Sequence, residues 1–248
     1  METLYQKEVV SIAELTGRLG VSHMTVRRDI QQLETEGRVL QVSGGVKMVE
    51  NILSEPSREL KILLQSREKL AIAAEAARRV SHGATVYLDA GTTCLALAVE
   101  LAQRDDPADD LAVVTNDFAI AAYLMEHARC ALYHTGGRVL RVNESCVGES
   151  AARFIRSVNI DVGFISASSW NTQYISTPTE SKVPVKKAVV EAAAKRVLIS
   201  DATKYGKVGF FNAVAMRDIH EIITDTGLQE HAREMLRREG VAVTAVSP

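Results

Sequence analysis

The sequence predicts an α/β protein in two unlike parts: a small N-terminal helix-turn-helix with a trailing hairpin, and a larger domain built on a mainly parallel sheet. Three observations carry this expectation. In the first 49 residues two short helical patterns flank a glycine turn and give way to β-like residues around Gly44 and Gly45. From Glu68 onward strand-like and helix-like runs alternate, the pattern of βαβ units. Finally, the 248 residues are 46% hydrophobic and 24% charged, which supplies buried cores for one large or two modest domains and excludes a disordered or fibrous chain.

Taken in order, Ile12, Leu15 and Leu19 fall at helical spacing, Gly20 supplies a turn, and Ser22 stands where an N-cap opens the next helix. In that second helix Val26, Ile30 and Leu33 form one apolar stripe, so they are assigned to a core. Met24, Arg28 and Gln31 then face the opposite way, with Thr25 and Arg27 on the flanks. This is the layout of a helix that presents polar groups to a major groove. Arg27 and Arg28 suit guanine edges or phosphates, while Ser22, His23 and Thr25 stand at the helix N-terminus, which suits phosphate oxygens. RVLQVSGGVKMV reads as two strands around Ser43-Gly44-Gly45, a wing that carries Arg38 and Lys47 to the DNA backbone.

Charge alone does not decide for DNA. The net charge is −2, and residues 1–49 hold six basic and six acidic side chains. A small helical cap with solvated arginines is the competing account. The combination of turn length, N-cap, apolar stripe, adjacent arginines and Gly-Gly hairpin favours DNA.

Glu50–Ser66, polar and carrying Pro56, reads as a linker or a bridging helix. The expected limits are a DNA-binding domain over 1–52, a linker over 53–67 and an α/β domain over 68–248. In the last, LAIAAEAARRV reads as helix, TVYLDA as strand and CLALAVELAQR as helix, before RDDPADD interrupts with Pro107. LAVVTN, AIAAYLMEHA and CALYHTG repeat strand, helix, strand. IDVGFISAS, VPVKKAVVEAAA, RVLISDA, IHEIITD, LQEHAREMLRR and VAVTAV continue the alternation to the C-terminus.

A ligand site is expected where strands end. Asp89 closes TVYLDA, and Gly91, Thr92 and Thr93 form a strand-turn-helix junction whose free N–H groups and hydroxyls suit a phosphate, although an ordinary capped helix has the same residues. Asp201 and Lys204 follow another strand, on the edge where open α/β sheets bind ligands, and Asn116 stands at a third strand end. Gly136 and Gly137 offer backbone donors or a tight turn. Neither G-x-x-x-x-G-K-[ST] nor G-x-G-x-x-G occurs, which disfavours a nucleoside triphosphate or a dinucleotide. The six histidines are dispersed, the three cysteines form no CxxC pair and G-x-S-x-G is absent, so no metal, cofactor or nucleophile is assigned. Trp170 and Tyr174 are assigned to core packing before cleft lining. No run of apolar residues is long enough to span a membrane and METLYQKEVV lacks a secretory core, so a cytoplasmic protein is expected.

LGVSHMTVRRDIQQLETEGRVLQVSGG resembles the winged helix-turn-helix of DeoR-type bacterial transcriptional regulators, whose usual wording is V-S-x-x-T-I-R-R-D-L, L-E-x-x-G and a hairpin ending in G-G. The resemblance extends through LDAGTT at 88–93, VVTND at 113–117, TGG at 135–137 and VLISDATKYGKVGFF at 197–211. It implies a repressor of a carbohydrate-use operon, released or held by a phosphorylated sugar or sugar acid bound at Asp89–Thr93, in a domain similar to ribose-5-phosphate isomerase. It also implies double-stranded operator DNA as partner and a homodimer or homotetramer, since two half-sites need two recognition helices. Such regulators have a full helix before the segment matching Ser11–Leu19. METLYQKEV therefore implies a shortened first helix or a start set too late. The alternative function is an isomerase-like enzyme with an accessory module. In such isomerases an Asp-Gly-x-Asp motif supplies acid-base carboxylates; here the comparable place reads Ile165-Ser166-Ala167-Ser168, and neither Ile nor Ser replaces a carboxylate in proton transfer. Binding without turnover is the expectation.

Overall fold

The computed structural model describes residues 9–35, 38–42, 44–104 and 110–248. Ser43, the run around Pro107 and the segment METLYQKE lie outside the described residues.

The winged module comprises α1 (Ile12–Leu19), α2 (His23–Thr35), β1 (Val39–Val42) and β2 (Gly45–Met48), the two strands pairing antiparallel. Ser11 Oγ accepts from the Glu14 amide to start α1, and Gly20 in the left-handed region ends it. Ser22 Oγ accepts from the Thr25 amide at 3.2 Å, so the expected cap of α2 is in place. Val26 and Ile30 are buried as the stripe requires, together with Leu15, Val39, Val46 and Val10, which bridges to Val46. Leu19 departs from expectation: it is 59% exposed, because this small core closes on Val10 and the hairpin valines instead.

Beyond the wing, β3 (Glu50–Ile52) and α3 (Arg58–Leu63) occupy the expected linker, and α4 (Ser66–Ala77) follows. The larger domain then runs β4 (Thr85–Leu88), α5 (Thr92–Ala102), β5 (Ala112–Thr115), α6 (Phe118–His127), β6 (Ala131–His134), β7 (Arg138–Leu140), β8 (Ser145–Val147), α7 (Glu149–Arg156) and β9 (Ile160–Ile165). It continues with β10 (Ser169–Trp170), β11 (Tyr174–Thr177), α8 (Val183–Ala192), β12 (Ala193–Ile199), β13 (Lys207–Gly209), β14 (Phe211–Ala215), β15 (Glu221–Asp225), α9 (Glu230–Arg238) and β16 (Ala242–Val246).

Seven strands form a parallel sheet in the order β16-β15-β12-β9-β4-β5-β6. Alternate side chains enter two separate cores, as the two-residue period of a strand demands. Val86, Leu88, Val162, Phe164, Val197 and Ile199 join α4, α5 and α6. Tyr87, Ile165, Leu198 and Ile222 join α7, α8 and α9. Helices thus cover both faces, which explains why these strands read as continuous apolar runs. Short antiparallel strands, β10-β11-β14 and the hairpin β7-β8, were not legible in the sequence. Trp170 is fully buried and donates to Ser200 Oγ, whereas Tyr174 is 39% exposed.

Chain order reverses between β4 and β9. From β4 the sheet grows one way through β5 and β6, and from β9 the other way through β12, β15 and β16. Such a switch leaves a crevice outside the carboxyl ends of the two strands.

Candidate DNA-binding face and ligand cavity

On α2, Ser22, His23, Thr25, Arg27, Arg28 and Gln31 are all exposed on the side away from Val26 and Ile30. The Ser22 and Thr25 hydroxyls lie 3.0 Å apart, so both belong to the cap that fixes the helix start. Neither Arg27 nor Arg28 pairs with another described residue. Arg38 is exposed at the base of the wing, and Lys47 is half-buried on β2 opposite Leu40.

The module is seated on the larger domain. Glu34, buried at the end of α2, meets His231 Nε2 at 3.0 Å and accepts from the Gln41 amide and side chain. Leu40 packs on Gly206, where a Cβ would come within 2.3 Å of its methyl carbon. The strand β3 pairs in parallel with β13, and Lys207 meets Glu50 at 3.2 Å.

At the switch point lies a cavity of about 270 Å³. Asp89, Gly91, Thr92, Thr93, Asn116 and Lys204 line it, so the structure brings six of the eight expected ligand residues together. Their roles differ. The Asp89 carboxylate is committed, accepting from Lys186 Nζ at 2.6 Å, from the Ala90 amide, and from the Ser166 amide and hydroxyl. Asn116 donates to the Cys146 carbonyl and accepts from Tyr87 Oη and the Ala90 amide, which pins the loop after β4. Gly91 needs its lack of a side chain: φ is +154°, and a Cβ would press on Ser166 at 3.3 Å. Its amide donates to Asp117 Oδ2. As the N-cap of α5 it brings no side-chain acceptor, so the first turn carrying Thr92 and Thr93 opens on the cavity uncapped by a side chain. Lys204 makes no ion pair with a described residue. Burial raises the Tyr87 hydroxyl, and the nearby Asp89 charge raises it further, so it stays a donor.

Gly136 and Gly137 are a correction. They are absent from the cavity wall and take positive φ values of 63° and 113° in the turn between β6 and β7, so turn formation accounts for them. At 165–168 the structure places serine hydroxyls and no carboxylate; Ser166 serves to hold Asp89.

The expected linker supplies the residues that sequence reading missed. Glu55, Arg58 and Lys61 wall the cavity beside Lys69, Lys182 and Lys186. Arg58 Nη1 donates to Asp117 Oδ2 at 2.7 Å, and Nε meets Glu144 at 3.3 Å. Lys69 donates to the Lys61 and Leu64 carbonyls; burial lowers its pKa against the opposing charge of Asp201. Glu55 lies between Lys61 and Lys182; burial raises its carboxyl, but the two ammonium groups outweigh that and hold it at about 2. Burial pushes Lys182 down in turn, while Glu55 opposes. Among the described residues, two of the cavity wall carry buried atoms without a partner: Arg58 Nη2 and Ser145 Oγ. Ser57, which caps α3, and the four-residue spacing of Lys182 and Lys186 were the available signals.

A winged helix-turn-helix joined to an α/β domain with a polar, cation-rich cavity at its switch point defines a class: transcriptional regulators with a ligand-sensing domain. The model of the DeoR-like helix-turn-helix domain matches residues 1–51, and that of the DeoR C-terminal sensor domain matches residues 64–226. The chain belongs to the DeoR family of transcriptional regulators. It is 49% identical to the HTH-type transcriptional regulator YgbI of Escherichia coli over 98% of this chain and 94% of the relative. It is 29% identical to the transcriptional repressor AccR of Agrobacterium fabrum over 97% of this chain and 94% of that one. Both relatives are named as regulators of transcription. Among solved structures, ribose 5-phosphate isomerase A of Methanocaldococcus jannaschii aligns with 55% of this chain and 53% of its own, at 18% identity and a TM-score of 0.40. Among the described residues, no helix is long and apolar enough to cross a membrane, and no cluster of His, Cys, Asp or Glu is placed to hold a metal ion.

Proposed function

We propose that this regulator represses a carbohydrate-use operon by placing α2 in the major groove of operator DNA, and that a phosphorylated sugar or sugar acid in the cavity controls that binding. The observation that carries the ligand class is the charge of the cavity wall. Seven cationic side chains (Arg58, Lys61, Lys69, Lys182, Lys186, Lys204 and Lys207) stand against four carboxylates in the wall (Glu50, Glu55, Asp89 and Asp201), and even with Asp117 and Glu144, which pair with Arg58 from outside it, the cations are in excess. A surplus of cations in a small, partly dry site costs free energy unless an anion neutralises it. The unpartnered Arg58 Nη2 and Ser145 Oγ are donors that such an anion would satisfy. The carbohydrate portion is supported by the hydroxyls of Ser54, Thr92 and Thr93, which line the same wall.

Ser22, His23, Thr25, Arg27, Arg28, Gln31, Arg38 and Lys47 form the DNA surface in this reading, and Asp89, Gly91, Thr92, Thr93, Asn116 and Lys204 the ligand surface. The domain limits are 1–52 and 68–248, with 53–67 between them. The protein acts in the cytoplasm as a homodimer or homotetramer. Leu53, Leu60 and Leu63 are apolar and exposed, and they offer a surface for a second copy. Selection of bound fragments from genomic DNA, followed by anisotropy with a panel of sugar phosphates and phosphorylated sugar acids, tests the reading. At least one panel member should change operator affinity tenfold or more, and Thr92→Ala or Lys204→Ala should blunt that response while leaving free operator binding intact. Failure to enrich any sequence would overturn it.

A further inference from the structure

Glu55 is held as a bound anion would be. One carboxylate oxygen accepts from Lys182 Nζ at 2.7 Å and lies 3.5 Å from Thr177 Oγ1; the other accepts from Lys61 Nζ at 2.5 Å and Asn143 Nδ2 at 3.3 Å. Its side chain is only 5% exposed. Two ammonium groups, an amide and a hydroxyl around two oxygens make a receptor for an oxyanion, and three of these four donors belong to the cavity wall. The group they hold comes from the segment that leads in from the winged module, three residues beyond the last residue of β3.

We propose that this donor set is an anion subsite of the effector cavity, that Glu55 is its resident occupant in the ligand-free chain, and that the phosphate group of the ligand takes the place of Glu55. The inference rests on reading the cavity as an effector site. A phosphate dianion carries about twice the charge of a carboxylate and three acceptor oxygens, so it satisfies Lys61 and Lys182 at least as well. Arg58, three residues along the same segment, contributes the unpartnered Nη2. Glu55 moves to water, where its charge is solvated. Exchange therefore detaches the segment that β3 anchors to β13, and β3 is continuous in sequence with the wing. Ligand and operator then oppose each other through one strap, and by linkage each weakens the other equally.

The test is calorimetry of the full chain with inorganic phosphate. Glu55→Gln should bind phosphate at least tenfold more tightly than the wild type, because no internal carboxylate competes. Glu55→Asp, which keeps the charge on a shorter arm, should lie between them and guards against a Gln variant that folds poorly. Lys182→Met should lose binding in either background. In hydrogen exchange, phosphate should speed exchange across residues 50–56 of the wild type, the stretch ahead of the phosphate donors Arg58 and Lys61. Wild-type binding that Glu55→Gln leaves unchanged or weakens would overturn the inference alone, and so would phosphate-induced protection of residues 50–56. Absence of phosphate binding in every variant would overturn both this inference and the anionic-ligand reading.

Discussion

Arg58 Nη1 and the Gly91 amide donate to the same oxygen, Asp117 Oδ2, at 2.7 and 3.1 Å. One buried carboxylate thereby ties the segment between the domains to the candidate phosphate loop. Its other oxygen accepts from the Ala119 and Ile120 amides and caps α6. Asp117→Ala removes all of these at once and strands a guanidinium that is 6% exposed. Losing one partner of a buried pair costs about 3–5 kcal/mol, so urea should unfold the variant with a midpoint lowered to match. A loss below about 1 kcal/mol would show that Glu144 alone suffices for Arg58.

Arg27 and Arg28 are exposed on α2 and unpaired with any described residue, so replacing them removes little folded-state stability. Each Arg→Ala change should cost about 1–3 kcal/mol of operator affinity if it meets a base, and relax preference at one position. If it meets only phosphate, the loss should be uniform across sequences, and the slope of log affinity against log salt should fall by about 1. Equal affinity of wild type and both variants would remove α2 from the groove.

Physical reasons separate what the sequence made legible from what it did not. Runs such as TVYL and RVLI read as buried strands because both faces of the parallel sheet are covered, so Val86 and Tyr87 serve opposite cores. The stripe Val26–Ile30 and the Ser22 cap are local, and local rules found them. Glu55, Arg58 and Lys61 were invisible for the opposite reason. Nothing in a polar stretch with one proline says that it will lie against strands far along the chain, where Lys182 and Asp117 wait. Gly136 and Gly137 show the converse error: a motif with two readings was placed in the site when only a turn was required.

Gly206 lies where the wing meets the larger domain. Its φ is +76°, and an added Cβ would meet Leu40 Cδ2 at 2.3 Å. Gly206→Ala therefore combines left-handed strain with displacement of a buried leucine, together about 1–3 kcal/mol. Amide exchange over residues 39–48 should accelerate more than exchange in the parallel sheet. Unchanged protection of the wing would mean that Leu40 does not hold it in place.

The ion pairs of Glu55 also give stability a pH dependence with a definite sign. Burial raises this carboxyl, yet Lys182 and Lys61 pull it from 4.5 to about 2 in the folded chain. A carboxyl with a depressed pKa contributes stability that is present above its unfolded pKa and is lost as pH falls through the folded one. The contribution of wild-type Glu55 is thus full at neutral pH, on the order of 3 kcal/mol, and decays from about pH 5 downward. Glu55→Gln has no such group to titrate. Denaturant unfolding of the two proteins should show a gap near neutrality that narrows steadily between about pH 5 and about pH 3. A gap that stays constant over that range would mean the lysines do not hold Glu55 ionised.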